Sequence, residues 1–444
     1  MNEGMQNQSV GRETKCDRLR VPQSVMTASQ CELTDLKLNV VEGELPDKLQ
    51  GHVFIVAPVG SVDSGGLPYP DGSPIFNGDG MIYRLDFDRK GEVRITNRIA
   101  KTPCYYADQI TNTDTKYAKY SFQNHGLSRL STALGVRNQL NTAFLNMRFS
   151  EDAIDRLLVT FDAGRPYEID TESLEVVTPV GSNVEWRPEI SRGFPFPPVL
   201  TTAHPVFDAF TDEMFTVNYG RSFGNFLETI PLIYEAEKLP QAIKKVLESI
   251  ARFLTPLKLV KFLLAKISQF FGCIFHFFLN LIEKVAKVNL QNFVYLISWD
   301  GVGDFERWKL VLSDRSPVII NQSLHQIGLT RNYIILMDTA FSVGLAQTFN
   351  NPIPKHKHIE QAIRDILSRP VSPDTVLYIV RREDMKAGQH PASCDREVEV
   401  VARRVVIPME VLHFAVDYED LYGKITLHIG HTAVPAVMRY SNST

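Results

Sequence analysis

Three histidines in distinctive local sequences are the residues of this chain best suited to chemistry. They are His204 in Thr201-Thr-Ala-His-Pro-Val-Phe-Asp208, His325 in Ser323-Leu-His-Gln-Ile-Gly-Leu-Thr330, and His413 in Val411-Leu-His-Phe-Ala-Val-Asp-Tyr-Glu419. Neutral imidazole is a borderline ligand that suits iron, copper, zinc or nickel. The gaps of 121 and 88 residues exclude a local metal clip. A closed, repetitive fold can bring such strand-borne histidines onto one axis.

Most of the chain is predicted to form short strands, which are separated by turn sequences such as Asn77-Gly-Asp-Gly80. Strands without alternating long helices favour an all-β sandwich, barrel or propeller. No repeat of fixed period is present, which argues against a WD40-type propeller. The predicted strands include Val53–Ala57, Met81–Phe87, Glu92–Thr96, Leu157–Phe161, Glu213–Val217, Tyr333–Asp338, Thr375–Val380 and Val398–Ile407.

Residues 225–292 break this pattern, because they are apolar with a helical period and a thin polar edge. The pattern is compatible with a buried core helix or a transmembrane span. Its longest uncharged run, Ile267–Ile282, is 16 residues, which is shorter than the roughly 20 that a bilayer requires. A helix lying in one membrane leaflet fits best, with its lysines reaching the headgroups. We expect its aromatic residues to serve membrane contact or substrate entry: Phe262, Phe270, Phe271, Phe275, Phe277 and Phe278.

The bulk composition is that of an ordinary globular protein, with 44% hydrophobic and 22% charged residues among 444. A net charge of −4 gives no indication of nucleic-acid binding. Five widely spaced cysteines without a CxxC argue against a disulfide framework or a thiolate zinc site. The polar residues 1–20 lack the features of a signal peptide. These features predict a cytoplasmic protein, attached peripherally to a membrane through the apolar insertion.

Several segments, in order, resemble the carotenoid cleavage oxygenase family, which includes apocarotenoid oxygenases, lignostilbene dioxygenases and the retinoid isomerase. Phe76-Asn-Gly-Asp-Gly-Met-Ile-Tyr83 resembles the family's F-(D/N)-G-D-G-M turn, and Leu157–Asp170 resembles L-L-x-L-x-E-G-x-P-Y-x-(L/I)-D. Thr202–Asp208 resembles the family's first histidine motif, (T/S)-A-H-P-x-x-D. His325–Tyr333 resembles the second, H-D-F-x-x-T-x-N-Y, with Gln326-Ile327 in place of Asp-Phe. His413–Glu419 resembles the third more loosely.

The resemblance implies a seven-bladed β-propeller whose axial histidines hold Fe(II), with His204, His325 and His413 as ligands. It implies a polar N-terminal segment at 1–35 and a propeller domain at 36–444, interrupted by the insertion at 225–292. In this family carboxylates that contact the ligating histidines orient some of the imidazoles, and Asp162 stands at such a position, one methylene shorter than the usual glutamate. The implied reaction uses dioxygen to split a conjugated double bond of a carotenoid or apocarotenoid into two carbonyl products.

The chain departs from the family pattern after His413, because the family's fourth histidine lies well over 100 residues further on. Only His428 and His431 follow, and their setting indicates ordinary residues of the next strand. We therefore expect an incomplete propeller with low stability or weak iron binding, arising from truncation or divergence. The alternative function is an inactive, membrane-associated carotenoid- or lipid-binding protein, which need hold no iron. A retinoid-isomerase-like isomerohydrolase is a third possibility, and it would incorporate no oxygen from dioxygen.

Overall fold

The computed structural model describes residues 27–61, 77–124, 128–152, 154–190, 193–222, 225, 291–340, 372–394 and 396–431. These ranges are mostly β-sheet, which agrees with the predicted all-β class. Each of the predicted strands is present, with ends that differ from the prediction by a few residues. The predicted helical insertion, with its six phenylalanines, lies outside the described residues except for its first residue and its last two. No helix in the described ranges is long and apolar enough to span a bilayer.

The first sheet is antiparallel, with the strand order β1-β3-β4-β5-β2. Its strands are β1 (Thr27–Ala28), β2 (Leu36–Leu38), β3 (His52–Ser61), β4 (Asp79–Asp86) and β5 (Val93–Ile99). The glycines of the Asn77-Gly-Asp-Gly80 turn allow close backbone contacts at the start of β4. A Cβ atom on Gly78 would lie 2.4 Å from the carbonyl oxygen of Val59, and one on Gly80 only 2.0 Å from that of Leu140. These close contacts leave no room for a side chain, which explains the glycines at positions 78 and 80 of the turn.

A short helical and irregular region follows this sheet. It contains α1 (Pro103–Thr113), a 3₁₀ turn (Ala118–Tyr120) and a small sheet of β6 (Gln123–Asn124), β7 (Arg129–Ser131) and β8 (Gly135–Val136). Pro103 suits the first turn of α1, where a backbone N–H has no helical partner. The buried Arg137 joins α1 to β4, since its Nη2 lies 2.6 Å from Asp79 Oδ1 and its Nε 3.2 Å from Asp108 Oδ2.

The third sheet is an antiparallel meander that leads to one of the candidate site residues. Its strands are β9 (Ala143–Met147), β10 (Arg156–Thr160), β11 (Tyr167–Ile169) and β12 (Val176–Pro179). Leu158 and Val159 of β10 are fully buried, which fixes the position of the chain as it leaves the strand. Asp162 follows two residues after β10, so a rigid strand positions its carboxylate.

A nine-stranded sheet holds two of the three histidine segments. It contains β13 (Leu200–Thr201), β14 (Val206–Asp208), β15 (Glu213–Gly220), β16 (Phe293–Trp299), β17 (Glu306–Val311), β18 (Ser323–Leu329), β19 (Tyr333–Thr339), β20 (Asp374–Arg381) and β21 (Glu399–Pro408). Pairing is antiparallel within β13–β17 and within β18–β21. The two groups meet where β17 runs parallel to β21, with Lys309 opposite Glu399. The largest core cluster packs between them and includes Phe215, Leu296 and Leu336.

The last described element is the antiparallel pair β22 (Val411–Val416) and β23 (Leu427–His431), joined through a 3₁₀ turn at Leu421–Gly423. β22 carries the third histidine and packs beside β18. Gly328 of β18 makes room for this contact, since a Cβ atom there would lie 2.7 Å from the Phe414 ring. The two strands therefore approach closely at the level of the histidines.

Candidate metal centre

The fold brings His204, His325 and His413 together, although they are far apart in the sequence. One ring nitrogen from each can be chosen so that all three atoms lie within 4.8 Å of one another. The ring centroids are 4.9 to 5.1 Å apart, and the ring planes are inclined by 65 to 84°. In the described part of the chain, this is the group of histidine, cysteine and carboxylate residues with the spacing of a metal site.

His204 lies between β13 and β14, and the backbone of β18 holds it in place. The carbonyl oxygen of His325 accepts hydrogen bonds from the backbone N–H of Ala203 at 3.1 Å and of His204 at 3.3 Å. The hydroxyl of Thr202 donates to the same oxygen at 2.8 Å. The Thr-Ala-His segment is thus positioned by one atom of another histidine, which explains why threonine suits the position two residues before His204.

The imidazole of His204 is electrically neutral near pH 7. Burial lowers its pKa from 6.5 to about 4, and the neighbouring His325 and His413 add repulsion toward a proton. Its Nε2 is buried and has no hydrogen-bond partner among the described residues. A buried polar atom without a partner costs free energy, so its presence here needs an explanation. A ligand at the centre of the histidine group would provide one.

His325 is buried on β18, and Asp162 fixes its ring. Nδ1 of His325 lies 2.7 Å from Oδ1 of Asp162. Burial alone would lower the pKa of His325, but the charge and hydrogen bond of Asp162 outweigh it, and the pKa is raised. In the neutral ring this hydrogen bond assigns the proton to Nδ1 and the lone pair to Nε2. A carboxylate on the far nitrogen is a common feature of metal-bound histidines.

His413 lies on β22 and is the most exposed of the three histidines. Its Nδ1 lies 3.2 Å from the side-chain oxygen of Gln326. Burial, followed by the charge of His325, lowers the pKa of His413. The three rings therefore differ in burial and in hydrogen bonding, and Nδ1 has an identified partner in His325 and in His413.

The first and third histidine segments are joined by a buried carboxylate, that of the aspartate at the end of the first histidine motif. Asp208 is 1% exposed, and its Oδ2 lies 2.5 Å from Nη1 of Arg382. The hydroxyl of Tyr418 lies 3.2 Å from Asp208 Oδ1. Burial raises the pKa of Asp208, but the hydrogen bond from Phe210 N–H and the Arg382 guanidinium lower it further. The ion pair with Arg382 was not predictable, because nothing in the local sequence connects the two residues.

The second histidine segment is tied to the third in a similar way through Asp420. Its Oδ2 accepts a hydrogen bond from the hydroxyl of Thr330 at 2.7 Å, and its Oδ1 accepts one from the side-chain amide of Asn332 at 2.6 Å. Thr330 and Asn332 are the polar residues of the Thr-x-Asn-Tyr pattern that follows His325. The pattern therefore serves to dock β22 and its neighbouring turn, not to bind a ligand directly.

The remaining histidines near the end of the described chain lie outside this group. Nε2 of His428 lies 2.9 Å from Asp417 Oδ1, and both side chains are exposed. Nδ1 of His431 lies 3.1 Å from the carbonyl oxygen of Glu410. Both residues belong to β23, which agrees with the prediction that they are ordinary strand residues.

Comparison with known proteins adds a family to this geometry. Residues 26–242 match the family model of RPE65, retinal pigment epithelial membrane protein. Over 149 residues the chain is 27% identical to apocarotenoid-15,15'-oxygenase from Synechocystis sp.. Both matches agree with the resemblance of the chain to the carotenoid cleavage oxygenase family. His204 lies inside the matched residues, whereas His325 and His413 lie beyond them.

Solved structures of this family also resemble the chain, at low identity. A single-residue mutant of Synechocystis apocarotenoid oxygenase gives a TM-score of 0.47 at 16% identity and covers 92% of this chain. Lignostilbene dioxygenase from Pseudomonas brassicacearum gives 0.45 at 14% identity and covers 89%. This chain spans less than two thirds of each relative, namely 29% of the Synechocystis sequence, and 63% and 58% of the two structures.

Proposed function

We propose that this chain belongs to a non-haem Fe(II) dioxygenase that cleaves a conjugated C=C bond of a carotenoid or apocarotenoid. The observation that carries the proposal is the convergence of His204, His325 and His413 from three separate segments. The resemblance to this family supplies the reaction class, and the relative named as an apocarotenoid oxygenase supplies the substrate class. The scaffold that we propose is a seven-bladed β-propeller domain from residue 36, interrupted at 225–292.

The residues of the site are suited to a divalent metal ion. The three imidazoles offer neutral nitrogen ligands, and the lone Nε2 of His204 lacks any other partner among the described residues. One ring nitrogen of each histidine can be chosen so that the three atoms lie within 4.8 Å of one another, which would allow them to hold one ion. Imidazole ligands suit several metals, so the choice of iron follows from the family.

The chain's own residues would hold and shield this ion. His204 remains neutral because of its burial, and Asp162 sets the ring orientation of His325. Bound Fe(II) would supply the redox chemistry by which dioxygen splits an alkene into two carbonyl compounds. Because all the proposed ligands are neutral, the ion would keep its full positive charge.

Association with a membrane surface remains a prediction from the sequence of residues 225–292. It fits an apolar substrate that dissolves in membranes, since an apolar helix in one leaflet could contact it there. Flotation of the full chain with liposomes tests it, and substitution of Phe270 and Phe271 by serine should reduce the bound fraction. Equal flotation of the variant and the wild type would contradict this role for the two side chains.

The proposed function is tested by metal stoichiometry and by oxygen labelling on the full chain. After anaerobic loading with excess Fe(II), we expect weakly held iron, at most about one per chain, and loss of that iron in His204→Ala and His325→Ala. His428→Ala is the matched control, since this exposed histidine lies outside the group. Turnover of an apocarotenoid under ¹⁸O₂ should place label in both carbonyl products.

Three outcomes would count against the proposed function. Absence of iron from the wild type would favour a binding protein without catalysis. An isomerised product without label would favour an isomerohydrolase. Loss of iron in His428→Ala, with retention in His204→Ala, would place the metal elsewhere in the chain.

A further inference from the structure

Gln326, the residue after His325, reaches across from β18 to β22 and makes three hydrogen bonds there. Its Nε2 donates to the carbonyl oxygen of Phe414 at 2.6 Å. Its Oε1 accepts from the backbone N–H of Phe414 at 3.1 Å. The same Oε1 lies 3.2 Å from Nδ1 of His413. Gln326 occupies the position at which the family pattern has aspartate, so this arrangement is a property of the present chain.

The backbone of Phe414 fixes which way the amide of Gln326 points. A backbone N–H can only donate and a backbone carbonyl can only accept. The Phe414 N–H must therefore meet Oε1, and the Phe414 carbonyl must meet Nε2. Turning the amide over would place Nε2 against the Phe414 N–H, which are both donors, and Oε1 against the Phe414 carbonyl, which are both acceptors. The orientation is thus set by chemistry and not by the side chain's own preference.

A fixed amide also fixes the proton on His413. Because Oε1 is an acceptor, the ring nitrogen facing it must carry hydrogen, and that nitrogen is Nδ1. The lone pair of the neutral ring then lies on Nε2. An imidazole in water instead favours the proton on Nε2, so this contact works against the ring's intrinsic preference.

We propose that Gln326 is a positioning residue, which selects the Nδ1–H tautomer of His413 and so presents Nε2 to the histidine centre. His325 and Gln326 then organise the whole group from two consecutive residues of β18. The carbonyl of His325 holds the His204 segment, while the side chain of Gln326 holds His413. Gln326 does this with a neutral amide, in contrast to the carboxylate of Asp162 on His325.

A purely structural role for Gln326, as a latch between β18 and β22, is the competing explanation. The chain contains a suitable control for it in Thr375. The hydroxyl of Thr375 accepts from the N–H of Val411 at 3.0 Å and donates to the carbonyl of Met409 at 2.9 Å. It therefore latches the start of the same strand by two backbone bonds, but it makes no contact with His413. Thr375→Val removes a latch and leaves the imidazole contact intact.

The test is the tautomer of His413 in the metal-free full chain. Histidine labelled with ¹⁵N and long-range ¹⁵N–¹H correlation at pH 8 distinguish the two tautomers, and loss of a signal in His413→Gln assigns it. We expect Nδ1–H in the wild type and in Thr375→Val. We expect a shift toward Nε2–H in Gln326→Met, which has similar length but no amide. Gln326→Leu also lacks the amide and serves if the methionine variant does not fold.

Retention of Nδ1–H in Gln326→Met or Gln326→Leu, or an equal shift in Thr375→Val, would each overturn the inference. The relevance to the metal rests on the proposed function and is measured separately, as Co²⁺ affinity by titration calorimetry. We expect roughly 10- to 100-fold weaker binding in Gln326→Met, as is typical when the partner of a ligating histidine is removed. If the wild type binds no Co²⁺ but the tautomer shifts as expected, the role of Gln326 stands and the proposed metal centre fails.

Discussion

Oδ1 of Asp162 lies 2.7 Å from Nδ1 of His325, although aspartate is one methylene shorter than the glutamate that the family pattern has at this position. The backbone at Asp162 is held close to the histidine group. The carbonyl oxygen of Asp162 accepts a hydrogen bond from the N–H of Thr201 at 2.8 Å, which draws the turn after β10 against β13. The carboxylate thus starts close to the histidine group and reaches it without the extra carbon.

We predict that Asp162→Ala weakens the binding of Co²⁺ or Fe²⁺ by about 10- to 100-fold, because His325 loses the group that fixes its tautomer and ring plane. Asp162→Asn keeps an acceptor of the same length and should weaken binding less. Titration calorimetry on the full chain measures both. Equal affinities for the wild type and the alanine variant would show that metal binding does not depend on the contact between Asp162 and His325.

The stability of the metal-free chain should depend on pH through His204. Its folded-state pKa of about 4 lies below the ordinary value of 6.5. Below pH 6.5 the unfolded chain binds a proton that the folded chain does not, so the stability present above 6.5 is lost as the pH falls toward 4. The loss is at most about 1.4 kcal/mol per pH unit.

His204→Gln should remove this part of the slope when urea unfolding is compared at pH 7, 6 and 5. His325 acts in the opposite direction, because its raised pKa gives a contribution that is present at low pH and is lost as the pH rises through that pKa. The difference between wild type and variant isolates His204. Identical slopes of stability against pH in the wild type and in His204→Gln would mean that His204 is exposed to solvent.

Arg382→Met should destabilise the fold by roughly 3 kcal/mol, since it leaves the buried carboxylate of Asp208 without its cation. Arg331→Met is the matched control. Arg331 pairs with Glu419 at 2.6 Å, but both side chains are at least half exposed, so loss of this pair should destabilise the fold much less. Urea denaturation of the two variants gives both values, and similar costs would contradict the importance of the buried pair.

Gly80→Ala should destabilise the fold by about 3 kcal/mol or more, because the new Cβ would lie 2.0 Å from the carbonyl oxygen of Leu140 and backbone atoms would have to shift. Gly193→Ala is the control, since a Cβ atom there meets nothing within 4 Å. Thermal unfolding distinguishes them. An unchanged stability of Gly80→Ala would show that the start of β4 can move away from the loop before β9 without destabilising the fold.

The strands could be predicted because their signal is local. Met81–Phe87 and Tyr333–Asp338 show the apolar residues and flanking turns that a buried strand requires, and both are strands in the structure. Helix α1 gave no such signal. Its buried face consists of Cys104, Asp108 and Thr111, which is a polar set held by Arg137 and not an apolar stripe.

The three histidines could be singled out because each has a distinctive local sequence, but their partners could not. Gln326 is a departure from the family pattern, and its contact with His413 depends on a strand 87 residues away. Arg382 is one of two adjacent arginines, and only the fold shows that it faces Asp208. Pairings of this kind depend on which strands become neighbours, and that information is not local.

The placement of the histidines on three separate segments also has a consequence for protein synthesis. The His204 segment is held by the backbone of His325, and the chain reaches His413 only 88 residues later. At about 5 to 20 residues per second, a ribosome needs roughly 4 to 18 seconds for that interval. During this time the nascent chain can display two of the histidines without the third. If the complete trio holds a metal ion, as proposed above, its binding must follow translation of β22 and is therefore separate in time from the early folding of the sheets.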